Sequence, residues 1–336
     1  MAGISLSDVT SARATIKGTA LLTPLVPSPY LSRLAGADVL LKLEITQPIG
    51  AFKLRGAANA VFALADGVAG VTCCSTGNHG RAVAYAARRR GIRAVVCMSS
   101  LVPEVKVEGI RALGAEVRIV GQSQDEAQVE CLRLVAQEGL VEISPFDDPL
   151  VIAGQGTIGL ELLEQAPDLA TVLVPLSGGG LAGGIGFAVK QLRPSVRVVG
   201  VSMDRGAAMY ESIRAGHPVD VEEVPSLADS LGGGIGQNNR HSLQLCRDHL
   251  DDIVLVSEAE IYRALQCVYY EDRIVCEGGS VVGIAALLAG KLQLPDGPTA
   301  MIITGRNLDM QMHADIMQGR DVRLGELTVG GRPYGA

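Results

Sequence analysis

Short runs of apolar and β-branched residues alternate with longer helical segments along most of the chain. Length and periodicity predict helices over Arg81–Arg90, Val105–Leu113, Gln124–Glu138 and Glu258–Tyr270. The runs typical of buried strands are Val39–Leu43, Val71–Cys74, Ala94–Cys97, Glu116–Val120, Thr171–Val174, Val196–Val201, Ile253–Val256 and Ala300–Ile303. This alternation predicts an α/β fold with mostly parallel sheets covered by helices on both faces. Ligands bind such sheets beyond the carboxyl ends of the strands, so the loops that follow the strands are where a site is expected.

The length and composition limit the classes of function. The 336 residues are enough for two packed lobes, and no apolar run reaches the roughly 18 residues that a membrane span needs. The segment from Met1 to Lys17 lacks the apolar core of a signal peptide. A net charge of −7 and 3% aromatic residues argue against a nucleic-acid partner. We therefore expect a cytoplasmic protein that acts on neither a membrane nor a nucleic acid.

The cysteines point to the same compartment. Seven of them are scattered along the chain, without the paired spacing of a zinc site or a redox motif. We interpret them as reduced thiols that pack as small hydrophobic residues.

The loop after the first strand carries a lysine. It runs from Gln47 through Gly50 to Lys53, which begins a predicted apolar helix. A helix N-terminus disfavours a cation, and the neutral amine is the form that Schiff-base chemistry needs. On this loop alone, an ordinary surface lysine is the favoured interpretation of Lys53.

The loop after the strand at Val71–Cys74 is rich in hydrogen-bond donors. It reads Ser75-Thr76-Gly77-Asn78-His79-Gly80 and leads into a helix. Hydroxyl groups, backbone N–H groups and the helix dipole together suit a carboxylate ligand. A capped helix with turn-forming residues is the alternative, and it accounts for Ser75 and Gly77 but less well for so many donors together. His79 is a candidate base, although a histidine at a helix start is more often structural.

The loop after the strand at Thr171–Val174 contains consecutive glycines. It reads Ser177-Gly178-Gly179-Gly180-Leu181. Glycines allow backbone N–H groups to converge on a phosphate at a helix N-terminus. The loop lacks the lysine of a P-loop, and it does not match a dinucleotide-binding fingerprint. A phosphate site without a nucleotide is therefore favoured over a merely flexible turn.

The loop after the last strand offers a hydroxyl group. It reads Thr304-Gly305-Arg306-Asn307. The Thr304 hydroxyl can bond a heterocyclic nitrogen without contributing a full charge. On this loop alone a simple strand-to-helix turn is the favoured interpretation.

Together the four loops resemble the threonine/serine dehydratase and serine racemase branch of fold-type II pyridoxal-phosphate enzymes. The segment 51–57 resembles that family's S-F-K-x-R-G-A motif, and 75–79 resembles its S-x-G-N-H loop. Ile152–Thr157 resembles a further signature, and Ser177–Leu181 its phosphate loop. The resemblance runs in register from about Ile16 to about Asp309. It implies a tryptophan synthase beta-like fold with a large lobe (1–69 plus 147–336), an inserted small lobe (70–146) and a homodimer.

The resemblance also implies roles for individual residues. Lys53 would hold pyridoxal phosphate as a Schiff base and move the Cα proton of the substrate. Phe52 would lie against the pyridine ring, Asn78 at its hydroxyl and Thr304 at its nitrogen. The residues implied to bind the phosphate are Ser177, Gly178, Gly179, Gly180 and Leu181, and those implied to bind the substrate are Ser75, Thr76, Gly77, Asn78 and His79. A neutral partner such as Thr304 would weaken the electron sink and favour prompt β-elimination of a 3-hydroxyl group.

Several positions depart from the family pattern. Ala51 replaces a serine, Arg306 replaces a glycine of the G-G-N turn, and Glu277 begins a Glu-Gly-Gly-Ser order in place of E-P-S-G. Thr76 stands where racemases of the family carry a serine that acts as a base on the opposite face. Threonine keeps the hydroxyl but is stiffer, so Thr76 is a candidate catalytic residue while racemisation is disfavoured.

A metal ion is not expected. Some relatives place an acidic ligand directly after the strand that is here predicted to end at Val201, and this chain has Ser202 there. Asp204 follows, but an isolated aspartate in a loop is usually only solvated. We expect no activating divalent ion.

The departures resemble the hydroxyectoine-utilisation dehydratase subgroup, above all in segments 75–81 and 304–310. This implies a lyase that dehydrates and deaminates a small hydroxy-amino acid from osmolyte breakdown. Two alternatives stay open within the family, a threonine/serine ammonia-lyase and an amino-acid racemase. A non-catalytic protein that binds a phosphate ligand is the alternative of another class, and the presence of Lys53 argues against it.

Overall fold

The computed structural model describes residues 3–75, 77–102 and 104–336. In this part of the chain the α-helices, labelled α1 to α13, are Leu6–Thr15, Pro29–Ala35, Lys53–Phe62, Asn78–Arg90, Glu104–Arg111, Gln124–Glu138, Pro149–Gln165, Gly180–Leu192, Ala208–Ala215, Ser242–His249, Glu258–Asp272, Val282–Leu288 and Met310–Met317. The strands, labelled β1 to β12, are Leu25–Pro27, Val39–Leu43, Val71–Cys74, Ala94–Met98, Glu116–Ile119, Val141–Glu142, Thr171–Pro175, Arg197–Met203, Asp252–Val256, Thr299–Ile303, Val322–Leu324 and Leu327–Val329. None of these described helices is long and apolar enough to span a membrane.

The strands form two main sheets. The larger has the order β1-β2-β10-β7-β8-β9, and only its edge strand β1 is antiparallel to its neighbour. The smaller has the order β5-β4-β3-β6 and is parallel throughout. A separate β11–β12 hairpin is antiparallel. The α/β fold of two lobes, each built on a mostly parallel sheet flanked by helices, is confirmed. The smaller sheet uses residues 71–142, and the lobe boundaries at 70 and 146 stay a prediction.

The strand order accounts for the meeting of the four loops at one site. β2, β10 and β7 are neighbours in the larger sheet and run parallel, so the loops that follow them leave the same edge. The fourth loop follows β3 and comes from the smaller sheet. The site therefore lies between the two lobes.

Several predicted boundaries differ from the structure by one to three residues, and two of these differences matter for the site. α4 begins at Asn78, three residues before the predicted Arg81, because its N-cap Gly77 has no side chain to signal a cap and glycine and asparagine are weak helix formers. β8 continues through Ser202 to Met203, two residues beyond the predicted end at Val201. Ser202 is therefore part of a buried strand, not the first residue of a loop.

The segment Ile152–Thr157 has a packing role. It lies within α7, which packs against both α3 and α8. A Cβ on Gly154 would come 2.6 Å from the carbonyl oxygen of Arg55, and one on Gly184 of α8 would come 2.5 Å from that of Ile152. Glycine at these positions lets the three helices approach closely.

A buried network of charges fixes α3. The Arg55 guanidinium pairs with Glu44 at 2.8 Å and with Glu161 at 2.6 Å. Lys42 pairs with the same Glu161 at 2.6 Å, and all four side chains are buried. The network joins β2, α3 and α7. Because Lys53 lies two residues before Arg55, the network also fixes the start of α3.

Candidate active site

Lys53 is the first residue of α3, and its amine is enclosed on several sides. The Phe52 N–H donates to the carbonyl of Thr304 at 2.9 Å, which joins the start of α3 to the end of β10. The half-buried Lys53 Nζ donates to the Pro145 carbonyl at 2.7 Å and lies 5.3 Å from the centroid of the Phe52 ring. Burial lowers the pKa of Lys53 to about 8. The amine is therefore far closer to its neutral, nucleophilic form near neutral pH than a surface lysine is.

The glycine-rich loop forms a close-packed turn at the start of α8. Gly179 is the N-cap and has a φ of +86°, a conformation that L side chains rarely adopt. A Cβ on Gly178 would come 2.4 Å from the Phe146 ring, and one on Gly180 would come 2.7 Å from the Phe146 carbonyl oxygen. The three glycines therefore offer only backbone groups at the N-terminus of α8. The free N–H groups and the helix dipole at this end suit a phosphate.

The donor-rich loop after β3 leads directly into α4. The Gly77 N–H donates to the Ser75 hydroxyl at 3.4 Å, and a Cβ on Gly80 would come 2.4 Å from the Ser75 carbonyl oxygen. The loop is therefore held tightly against the first turn of α4, whose N–H groups suit an anion. Thr76, predicted to bind the substrate and to be a candidate base, lies outside the described residues.

The His79 ring is packed into the protein interior. It is buried, and its Nε2–H donates to the Ile143 carbonyl at 2.7 Å. Burial, together with a smaller effect of the nearby Lys53, lowers the pKa of His79 to about 3. The ring is neutral at physiological pH, which leaves its backbone N–H as the group suited to a substrate carboxylate.

Asn78 is held by residues that sequence reasoning did not assign. Its side-chain NH₂ lies 3.0 Å from each carboxylate oxygen of Glu277 and donates to them. Asn307 donates from its side chain to the Asn78 amide oxygen at 2.6 Å and from its backbone to Glu277 at 2.7 Å. Burial raises the pKa of Glu277 to about 7, against the lowering effect of these donors. This Asn78–Glu277–Asn307 bridge joins the smaller-sheet lobe to the larger.

Thr304 belongs to a short chain of hydroxyl groups. Its buried Oγ1 lies 3.0 Å from the Ser280 Oγ, which also accepts from the Gly305 N–H and lies 2.9 Å from the Gly305 carbonyl. When Ser280 donates to Thr304, the Thr304 proton is free for an acceptor in the site. When Ser280 donates to Gly305 instead, the Thr304 proton turns to Ser280.

The structure brings the described members of the predicted site into one region. Phe52 bonds to Thr304 through its backbone and lies beside the Lys53 amine through its ring, and the segment containing Pro145 and Phe146 links them to the glycine loop. Asn78 joins them through the bridge described above. The residues with no role assigned from sequence are Phe146, Glu277, Ser280 and Asn307. Glu277 and Ser280 belong to the Glu-Gly-Gly-Ser segment and Asn307 to the loop after the last strand, so their segments carried a sequence signal, whereas Phe146 carried none.

The predicted absence of a metal ion is not tested by this structure. Among the described residues, no group of three or more histidine, cysteine, aspartate or glutamate side chains is arranged to hold one. Ser202 lies buried in β8, and Asp204 is exposed. The independence of activity from divalent ions stays a prediction.

Known proteins share both this sequence and this fold. The model of the family described as "Pyridoxal-phosphate dependent enzyme" matches residues 16–305. A protein of Sinorhizobium fredii (strain NBRC 101917 / NGR234) named "Putative threonine dehydratase" is 54% identical, over 95% of this chain and 97% of its own length. A Thermotoga maritima protein named "L-threonine ammonia-lyase" is 39% identical, over 92% of this chain and 77% of its own length. The structure of maize serine racemase matches with a TM-score of 0.88 at 31% identity, over 92% of this chain and 95% of that one. The chain therefore belongs to the family of pyridoxal-phosphate dependent enzymes, among the members that resemble threonine dehydratases and serine racemases.

Proposed function

We propose that this protein removes the 3-hydroxyl group and then the amino group of a small hydroxy-amino acid, as a dehydratase and ammonia-lyase. The observation that carries this proposal is the half-buried Lys53 amine, with its pKa lowered to about 8, beside the Thr304 turn. The names of the relatives, threonine dehydratase and L-threonine ammonia-lyase, support the same reaction class.

The site fits the family's cofactor. Substituting any of the three loop glycines would push a side chain into Phe146 or Met209, so backbone N–H groups are what this turn offers to the phosphate. Lys53 would hold the aldehyde carbon, and Phe52 would lie beside the ring. Asn78 and Thr304 would meet the polar atoms of the ring. When bound, the cofactor draws electrons away from the Cα atom of the amino acid.

Lys53 would act as the base at Cα. Its Nζ accepts the Cα proton in the neutral form, which the lowered pKa makes accessible near neutral pH. The Pro145 carbonyl, 2.7 Å from Nζ, would hold the amine in place. The 3-hydroxyl group leaves as water, and the released enamine tautomerises and is hydrolysed to a 2-oxo acid and ammonia.

The start of α4 would hold the substrate carboxylate. Backbone N–H groups of its first turn and the Ser75 hydroxyl would donate to it, and we propose that Thr76 does so too. Thr304 and Ser280 carry no charge, so they would not keep a ring nitrogen protonated as an acidic side chain would. That weaker electron sink favours elimination over transamination.

We propose hydroxyectoine catabolism as the setting of this reaction. The support is the sequence of segments 75–81 and 304–310, which departs from the general family motifs in the manner of that subgroup. A cytoplasmic location, a homodimer and the lobe boundaries 70 and 146 are further parts of the proposal. The second candidate function is racemisation, which the likeness to maize serine racemase favours. Chiral analysis of a single-enantiomer substrate after incubation separates the two.

Lys53→Ala tests the proposal directly. We expect the purified protein to show the visible absorption band of lysine-bound cofactor and to release 2-oxo acid from L-threonine, L-serine or a 3-hydroxy-2,4-diaminobutyrate compound. The variant should lose the band and at least about 10³-fold in kcat, because one group supplies both the attachment and the base. Retention of cofactor and activity by the variant would remove Lys53 from the mechanism. A band without product from any compound would favour racemisation or the binding-protein alternative.

A further inference from the structure

The backbone of Arg306 lies beside the loop that leads to Lys53. Its N–H donates to the Gly50 carbonyl at 3.0 Å, and the preceding residue Gly305 pairs with Ala51 in an antiparallel bridge. Thr304 in turn accepts from the Phe52 N–H. Arg306 is therefore held by the main chain at the rim of the site.

The Arg306 side chain borders the same space as the bridge that positions Asn78. Its Cγ and Nε would lie 3.1 and 3.3 Å from a Cβ on Gly50, and the Asn307 amide oxygen would lie 3.3 Å from that same point. Asn307 donates to Asn78 at the start of α4. The arginine side chain therefore lies against Gly50, next to the Asn307 amide that belongs to the bridge.

The Arg306 guanidinium lacks a partner. Across the described residues, no carboxylate lies within ion-pairing distance of it and no hydrogen bond engages it, and the residue is exposed. The acid of the bridge, Glu277, is already occupied by donors from Asn78 and Asn307. The site rim therefore carries an unneutralised cation with a planar fork of N–H donors.

We propose that Arg306 selects the substrate by binding an oxygen-bearing group at the end of its side chain, a carboxylate or an acyl carbonyl. This inference rests on the proposed elimination and names the substrate class of the same site. A guanidinium donates to such oxygens through charge-assisted bonds and repels a free ammonium group. L-Threonine ends in a methyl group and gains nothing from Arg306. Under this proposal, 3-hydroxy-2,4-diaminobutyrate is a substrate when its terminal amine is acylated, because the acyl carbonyl then accepts from Arg306. 3-Hydroxyaspartate is a substrate because its second carboxylate accepts from the same guanidinium.

The test compares four compounds with matched variants. The compounds are L-threonine, 3-hydroxyaspartate, 3-hydroxy-2,4-diaminobutyrate and its 4-N-acetyl form, each as both 3-hydroxy diastereomers, with 2-oxo-acid release followed. The variants are Arg306→Ala, Arg306→Lys and, as a control, Arg263→Ala, which removes an exposed arginine from α11 outside the site. The native enzyme should prefer at least one oxygen-bearing compound over threonine and over the free diamine. Arg306→Ala should reduce the ratio of kcat/KM for the preferred compound to that for threonine about 10- to 100-fold, by raising the KM of the preferred compound. The kcat/KM for threonine itself should change less than about twofold.

The Arg306→Lys variant distinguishes binding of a carboxylate from binding of an acyl carbonyl. Arg306→Lys keeps the charge but loses the planar fork, so it should rescue 3-hydroxyaspartate more than the neutral acetyl compound. A preference for the free diamine, or a preference unchanged by Arg306→Ala, overturns the inference.

Calorimetric measurement of succinate binding distinguishes a failure of the Arg306 inference from a failure of the proposed elimination. If no compound releases oxo acid, the elimination is refuted. The binding of an oxygen-bearing group by Arg306 then still holds if Arg306→Ala, and not Arg263→Ala, weakens succinate binding about tenfold or more, and it is overturned if Arg306→Ala does not.

Discussion

The two sides of this site are held by different kinds of contact. The start of α3, which carries Lys53, is fixed by the buried network of Arg55, Glu44, Glu161 and Lys42. The start of α4 is held to the other lobe through Asn78 by a carboxyl group with a pKa near 7. The side proposed to hold the cofactor is thus fixed by permanent charges, whereas the side proposed to bind the substrate depends on a group with a pKa near neutral pH. The first suits a covalent attachment point that must not move, and the second suits a loop that receives and releases a ligand.

The largest expected effect breaks the fixed side. Arg55→Met leaves Glu44 and part of Glu161 as buried, unpaired charges, which costs about 3–5 kcal/mol of unfolding free energy. Although burial alone would raise it, the pKa of Glu44 is lowered by Arg55, which shows how strongly the pair is coupled. Chemical denaturation of the complete protein measures the loss.

The control for this variant is an exposed ion pair. Arg13 and Glu164 pair at 2.5 Å with 45% and 54% of their side chains exposed. Arg13→Met should cost at most about 1 kcal/mol. Equal losses in the two variants would mean that the buried network does not anchor α3.

A second measurement sharpens the comparison at Lys53 itself. Burial lowers the pKa of Lys53 to about 8. The fraction of the amine in its neutral form therefore rises about tenfold per pH unit below pH 8 and levels off above it. After the cofactor is stripped, the rate at which added pyridoxal phosphate restores the visible band should follow that curve. For a free lysine derivative, which has a pKa of about 10.4, the rate of reaction with pyridoxal phosphate should continue to increase up to about pH 10. A protein curve that matches the free derivative would place Lys53 in a solvated environment.

The sequence predicted those parts of the molecule that local patterns encode. The strand predicted at Thr171–Val174 corresponds to β7, which ends one residue later. It was recognisable because a short apolar run between turns is typical of a strand in the interior of a sheet. Lys53, Thr304 and the glycine loop were singled out as candidates because each follows such a strand, although on their own loops Lys53 and Thr304 favoured ordinary interpretations. Their grouping followed from resemblance, and the structure adds the contacts between them.

What the sequence did not predict depends on contacts between distant segments. The bond between Asn78 and Glu277 joins positions 199 residues apart, and the hydroxyl pair of Thr304 and Ser280 depends on the same long-range packing. Phe146 shapes the glycine loop from a connecting segment without a regular pattern. No local propensity identifies such partners, since their roles exist only after the two lobes have folded.

The smallest expected effect concerns the titrating side. Above about pH 7 the Glu277 carboxylate accepts from Asn78 and from the Asn307 N–H, and below it the protonated group loses acceptor capacity. The kcat/KM of the native enzyme should therefore fall as pH drops through about 7. Glu277→Gln should lack this inflection and should lose about three- to tenfold at pH 8 and less at pH 6. Because the folded-state pKa of Glu277 is raised, its ionisation lowers the folding stability progressively from about pH 4.5 to 7, and the loss persists above pH 7. Glu277→Gln removes this loss, so the variant should be far less destabilised than Arg55→Met.

Asp229→Asn is the matched control for Glu277→Gln. The charge of Asp229 helps to raise the pKa of Glu277, secondary to burial, so its removal should move the inflection to lower pH without abolishing it. An inflection near pH 7 that persists in Glu277→Gln would show that another group titrates there. In that case the bridge would be as permanent as the network around Arg55, and the contrast between the two sides of the site would no longer hold.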